Sequence, residues 1–146
     1  MEAFKVILLA AYFMSLFFII FWMLVFMDRG ADDRKKQIKI FPFVSICIPA
    51  YNEEKNIAET ITSLLKLNYP KDKMEIIVVD DGSTDNTFGV VKEIIKKIRD
   101  IKIKLLRQEN KGKAAAMNYG LSMAKGEFFV SLDADSITSK DALKKI

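Results

Sequence analysis

The sequence predicts an α/β domain with a mostly parallel sheet, preceded by a transmembrane helix. Three observations carry this. No charged residue occurs between Val6 and Met27. From Phe43 onward, short apolar runs alternate with stretches of helical spacing. The chemically versatile polar residues cluster just past the apolar runs, where open α/β sheets bind ligands.

The first element is the uncharged run. Its 22 residues are Val, Ile, Leu, Phe, Met, Ala and Trp, with only Tyr12 and Ser15 polar. At about 1.5 Å per residue such a helix spans roughly 33 Å, close to a bilayer's hydrocarbon core. A buried core helix in so small a domain would keep a polar face. A cleaved signal peptide would have a shorter apolar stretch, roughly 7–15 residues, and a small-residue cleavage site, which does not follow here. Lys5 alone precedes the run, whereas Arg29, Arg34, Lys35, Lys36 and Lys39 follow it. That asymmetry puts the C-terminal side in the cytoplasm, and Trp22 suits an interfacial anchor. The expected organisation is a transmembrane helix over 1–27, a charged linker over 28–42 and a nucleotide-binding part over 43–146.

Beyond the helix lie 22 basic and 18 acidic residues, a net charge of +4. The lysines between Lys92 and Lys104 are interleaved with Ile and Val, as on the solvated face of a packed domain. This argues for no nucleic-acid partner and for proximity to anionic lipid instead. The lone Cys47 sits in an apolar strand and excludes an intrachain disulfide or CxxC chemistry.

The remaining elements follow in order. Val44–Ile48 reads as a strand ended by Pro49. Ile57, Ile61, Leu64 and Leu65 mark a helix near 55–67. The continuous apolar run Ile76–Val79 fits a strand covered on both faces. Asp85 is the expected N-cap of a helix with Phe88, Val91, Ile94, Ile95 and Ile98 on one face. Ile101–Leu106 is a third strand. Lys113–Ala124 is a helix with Ala114, Met117, Leu121 and Ala124 expected inward, and Phe128–Leu132 is a fourth strand.

Four segments should then meet on one sheet edge: Pro49-Ala50-Tyr51-Asn52-Glu53, Asp80-Asp81-Gly82-Ser83, Arg107 to Lys113, and Asp133-Ala134-Asp135. In Asp133-x-Asp135 two carboxylates at i and i+2 can face one hard cation, which takes oxygen ligands, waters and substrate phosphate. Asp80-Asp81-Gly82-Ser83 is also a set of turn formers, but two adjacent carboxylates repel and a turn needs only one. Gly112-Lys113 opens a helix whose free amides favour an anion, or is simply a helix start rich in alanine. Tyr51 is expected exposed, either to stack a base or to pack over the sheet edge. Neither GxxxxGK[ST] nor GxGxxG is present.

Val44-Ser45-Ile46-Cys47-Ile48-Pro49-Ala50-Tyr51-Asn52-Glu53-Glu54, Ile77-Val78-Val79-Asp80-Asp81-Gly82-Ser83-Thr84-Asp85, Asn110-Lys111-Gly112-Lys113-Ala114-Ala115-Ala116-Met117-Asn118 and Asp133-Ala134-Asp135 occur in this order. Together they resemble family 2 inverting glycosyltransferases of the GT-A (Rossmann-like) fold, and the N-terminal helix resembles that of membrane-bound members. The resemblance implies a nucleotide-sugar site in which Pro49, Ala50, Tyr51, Glu53, Asp80, Asp81, Lys113 and Asp133 surround the donor. Tyr51 would lie against the base, commonly uracil, with Glu53 shaping the pocket and Asp81 hydrogen-bonding the base. Lys113 would approach the phosphates, Asp133 the ribose or donor sugar, and Asp135 would bind Mn or Mg. The implied reaction moves a sugar from a nucleotide sugar, most often a UDP-sugar, to a polysaccharide or lipid-linked acceptor with inversion.

In that family the domain continues well past the DxD with an acceptor surface and an Asp base. Here Ile146 lies 11 residues past Asp135, no residue matches that base, and none is assigned. The expectation is either a glycosyltransferase or its donor-binding part, or a nucleotide-sugar-binding fragment that needs a second chain, or an inactive remnant.

Overall fold

The computed structural model describes residues 1–29 and 41–144. The chain divides into two units, Met1–Gln37 and Ile38–Ile146. Most of the 28–42 segment, with Arg34, Lys35, Lys36 and Lys39, lies outside the described residues.

The first unit contains α1 (Glu2–Arg29), a helix of 28 residues. Its stretch Glu2–Phe26 is long and apolar enough to cross a membrane. Ser15, one of its two uncharged polar residues, donates its hydroxyl to the Tyr12 carbonyl at 2.8 Å, so that group finds its partner within the helix. Phe17 stacks on Phe21, and Trp22 lies against Phe26, both at the i,i+4 spacing that aligns side chains on a helix face.

The second unit is an α/β sandwich. Its strands are β1 (Val44–Ala50), β2 (Met74–Asp81), β3 (Lys102–Gln108) and β4 (Phe128–Ser131), and its helices are α2 (Ile57–Leu65), α3 (Thr87–Lys97) and α4 (Lys113–Ser122). The strands form one parallel sheet in the order β3-β2-β1-β4. The register sets Ile46 opposite Ile76 and Val130, and Val78 opposite Leu105.

Strand periodicity divides the core into two layers. Ile46, Ile48, Ile76 and Val78 join Ile57, Ile61, Leu64 and Val91 in one cluster, beneath α2 and α3. Cys47, Ile77 and Val79 face the other way, onto Ala116 of α4. Every residue of β1 and β2 is buried, as the continuous apolar runs require of strands covered on both sides. Each fully buried Ile or Val contributes roughly 1.5–3 kcal/mol.

The structure corrects the expected inward face of α4. Ala114 and Leu121 are exposed, Met117 and Ala124 are half-buried, and Ala116 and Gly120 are the buried pair. The sheet selects small residues here because α4 lies close to it: a methyl group on Gly120 would collide with Cys47 Sγ. Cys47 itself is inert packing, its thiol pushed up to about 11 by burial.

Pro49 does not end β1, which runs on to Ala50. β4 stops at Ser131, opposite Cys47, so past that point β1 is paired along one side only, where a proline is tolerated. The helix after β2 starts later than Asp85. Its N-cap is Asn86, and Asp85 Oδ1 accepts the Thr87 amide at 2.9 Å from just outside the helix.

At the amino ends of the strands, Glu75 is fully buried. It accepts from Ser45 Oγ and from the Lys125 amide, each at 2.8 Å, and pairs with Lys104 Nζ at 3.0 Å. Lys104 also donates to the Met123 carbonyl at 2.7 Å. Burial alone would raise the Glu75 carboxyl, but these donors outweigh it and hold it below the ordinary range. The network ties the connection between α4 and β4 to the sheet.

Candidate nucleotide-sugar site

The strand order reverses direction between β1 and β4, and a crevice opens at the carboxyl ends of the strands there. It is a cleft of about 260 Å³. Pro49, Ala50, Tyr51 and Glu53 line it from β1 and the loop after it, and Asp81 from the end of β2. Lys113 comes from the start of α4, and Asp133, Ala134 and Asp135 from the turn after β4. Of the nine residues singled out in the sequence, the fold brings eight to this cleft.

Asp80 is the ninth, and it is not among the lining residues. β2 continues through Asp81, so the two neighbouring acids point to opposite faces of the sheet. Asp80 turns to the α3 side, fully buried, where its Oδ1 accepts the Ser83 amide at 3.1 Å and its Oδ2 lies 3.1 Å from Arg107 Nε. Arg107 also donates to the Ser83 carbonyl at 3.1 Å and sits over the Phe88 ring. The repulsion expected between adjacent carboxylates is thus removed by strand geometry, and Asp80 supports the loop from beneath.

Asp81 turns to the α4 side. Its Oδ1 accepts from Gln108 Nε2 at 2.7 Å and from the Lys111 amide at 2.9 Å, and its Oδ2 from the Gly112 amide at 2.8 Å. Burial opposes ionisation, yet the three donors hold the carboxyl below its ordinary value. The next residue, Gly82, has φ 73°, and a Cβ there would stand 2.7 Å from the Asn110 amide nitrogen. Only glycine meets both conditions.

Tyr51 lines the cleft and is 47% exposed. Asn52 lies beside it, and its type alone does not announce its role. It adopts φ 56°, a conformation asparagine tolerates better than most residues. Its Oδ1 accepts from the Thr84 amide at 2.8 Å and from Thr84 Oγ1 at 3.2 Å, while its own amide donates to Ser83 Oγ at 3.0 Å. The Glu53 amide donates to Thr87 Oγ1 at 2.8 Å, and Glu54 Oε2 accepts the Asn86 amide at 2.8 Å. The loops after β1 and β2 are therefore laced into one wall. The only sequence signal for this was the pairing of Asn-Glu-Glu with Gly-Ser-Thr-Asp, which becomes legible once both loops share an edge.

Across the cleft, Lys113 Nζ donates to Asp133 Oδ1 at 2.6 Å, with both side chains more than half exposed. Exposed pairs of this kind contribute at most about 1 kcal/mol and are easily exchanged. Asp135 is exposed and makes no hydrogen bond or ion pair among the described residues. No three acidic, His or Cys groups converge on a point among those residues. The protein thus offers a cation the carboxylates of one acidic turn. That suits Mn or Mg, which keep waters and bind substrate phosphate alongside one or two carboxylates.

The motifs that line this cleft belong to one recognised domain, and residues 45–146 match the model of glycosyl transferase family 2. The chain belongs to that family. It is 38% identical over 118 residues to the probable glycosyltransferase YdaM of Bacillus subtilis, covering 80% of this chain and 28% of YdaM. Its fold is similar to that of a mannosyltransferase from Pyrobaculum calidifontis solved with GDP-Man and Mn2+. The TM-score there is 0.70 at 36% identity, over 73% of this chain and 31% of the other. It is also similar to TarS of S. aureus in complex with UDP-GlcNAc, with TM-score 0.65 at 35% identity, over 70% of this chain and 29% of the other. The chain therefore spans less than a third of the length of each of these relatives.

Proposed function

We propose that this chain carries the donor site of a metal-dependent, inverting glycosyltransferase held at a membrane by α1, with its donor site in the cytoplasm. The observation behind this reading is the convergence of Tyr51, Asp81, Lys113, Asp133 and Asp135, from four separate strand ends, on one cleft at the switch point. The proposed organisation is a membrane helix over 1–27, a linker over 28–42 and the donor-binding part over 43–146. The donor is a nucleotide sugar, with a UDP-sugar the first candidate. The nucleotide sugars held by the two structural relatives support this.

In this reading the Tyr51 ring lies against the base and Asp81 accepts a base N–H. Glu53 shapes the nucleotide pocket. Lys113 leaves Asp133 and pairs with the diphosphate, which frees Asp133 for a hydroxyl of the ribose or sugar. Asp135 holds Mn or Mg. When bound, the cation neutralises the diphosphate leaving group. Such a cation suits the cleft because Glu53, Asp81, Asp133 and Asp135 would otherwise face an anionic ligand with Lys113 as the only basic residue lining it among the described residues. Transfer forms a bond from an acceptor oxygen to the anomeric carbon as the bond to the diphosphate oxygen breaks and its electron pair leaves with the nucleoside diphosphate. The acceptor is a polysaccharide or lipid-linked sugar. The acceptor surface, and the base that takes the hydroxyl proton, come from polypeptide other than the residues assigned here, continuous with this chain or on a second chain.

Calorimetric titration of the detergent-solubilised chain with UDP, GDP and their sugars, with and without manganese, tests the donor site. Metal-dependent binding of one nucleotide is expected, and Asp135→Ala should abolish the metal dependence. Unchanged affinity of that variant in manganese would sink the metal role.

A further inference from the structure

Two buried hydroxyls of α2 hold the acidic turn and the segment just after it. We infer that Thr60 and Ser63 are positioning residues that set Asp135 against the cleft; this rests on the metal role given to Asp135 above.

Thr60 is 1% exposed, and its Oγ1 donates to the Ala134 carbonyl at 2.7 Å. Ala134 is the middle residue of Asp133-Ala134-Asp135 and is itself buried. The usual intrahelical partner, the Asn56 carbonyl, is farther away at 3.3 Å, so the bond across to the turn is the shorter one. Thr62, on the exposed side of the same helix, instead bonds back to the Ala58 carbonyl at 2.7 Å, as a threonine without a tertiary partner does.

Ser63 lies three residues further on, on the same face of α2. Its Oγ accepts the Thr138 amide at 3.2 Å and lies 3.1 Å from Thr138 Oγ1. Within the turn, the Ser136 amide donates to the Asp133 carbonyl at 3.0 Å. The segment is therefore held at Ala134 and at Thr138, and Asp135 lies between the two attachments. The Asp135 carboxylate has no partner of its own among the described residues, so backbone placement alone aims it. α2 is a firm base for this, since Ile57, Ile61 and Leu64 anchor it in the core. Groups that orient a metal ligand without touching the metal commonly matter as much as this arrangement suggests.

The test uses the full chain and Thr60→Val, which keeps the shape and removes the hydroxyl. UDP and GDP are titrated with and without manganese, and manganese bound in the presence of nucleotide is counted by electron paramagnetic resonance. Thr60→Val should lose about 10-fold of the manganese-dependent affinity while its metal-free nucleotide affinity stays within about 2-fold, and Thr60→Ser should behave as wild type. Wild-type manganese dependence in Thr60→Val would overturn the inference, as would an equal loss of metal-free binding, which would mark a general structural role. If Asp135→Ala loses the manganese effect and Thr60→Val keeps it, the inference fails and the metal reading stands. If the wild-type chain itself ignores manganese, both fall.

Discussion

Asp81 Oδ2 accepts the amide hydrogen of Gly112 at 2.8 Å, so the last residue of β2 holds the cap of α4. One carboxylate thereby fixes the height at which Lys113 enters the cleft. At its other end, α4 is tied through Lys104 to the Met123 carbonyl. Both ends of the helix are pinned to the sheet.

Asp81→Asn should destabilise the fold by about 1–3 kcal/mol, because a buried acceptor facing three donors is replaced by a group that brings donors of its own. The sign with pH follows from the lowered carboxyl. Its stabilisation is fully present above the ordinary value of 3.8 and is lost as pH falls through the depressed folded value. Urea unfolding of both proteins across the acid range should show the gap closing below that point.

Gly120→Ala should cost about 1–3 kcal/mol by overpacking α4 against Cys47. Cys47→Ala in the same chain should restore part of the loss, since it removes the sulfur the new methyl would strike. Thermal unfolding of the two single variants and the double variant measures the coupling. Strictly additive effects would contradict the close approach.

Deletion of residues 1–27 should release the chain from membranes, since that segment carries the whole uncharged run. Sedimentation after a high-salt wash checks it. Persistent association of the shortened chain would show that something other than the helix holds it there.

Much of this molecule was legible because its signals are of long range and low ambiguity. The run Ile76–Val79 between turn formers fits a strand covered on both sides, and the rule that ligands gather at strand carboxyl ends places Tyr51, Asp81, Lys113 and Asp133 on one edge. The failures came where placement decides. Which of Asp80 and Asp81 faces α4 depends on whether β2 continues past Val79, and its extension through Asp81 lets strand alternation set the answer. The buried face of α4 is marked by Ala116 and Gly120, and in a helix this rich in small residues the apolar pattern does not single out one face. Glu75 and Asn52 act through partners far along the chain, Ser45, Lys104 and Thr84 among them, and sequence spacing carries no trace of such pairs.

The sheet is not uniform across its width. β1 and β2 are buried along their whole length, whereas β3 and β4 are only partly covered among the described residues. Amide protons in the two inner strands should exchange with solvent only through global opening, and those of β4 through smaller, more frequent excursions. The cleft thus borders fully buried strands on the side of Tyr51 and Asp81 and a less covered strand on the side of Asp133 and Asp135, whose turn takes its hold from α2 rather than from β4. In the proposed reading the base of the donor would rest beside the better-covered strands and its sugar beside the turn that α2 holds.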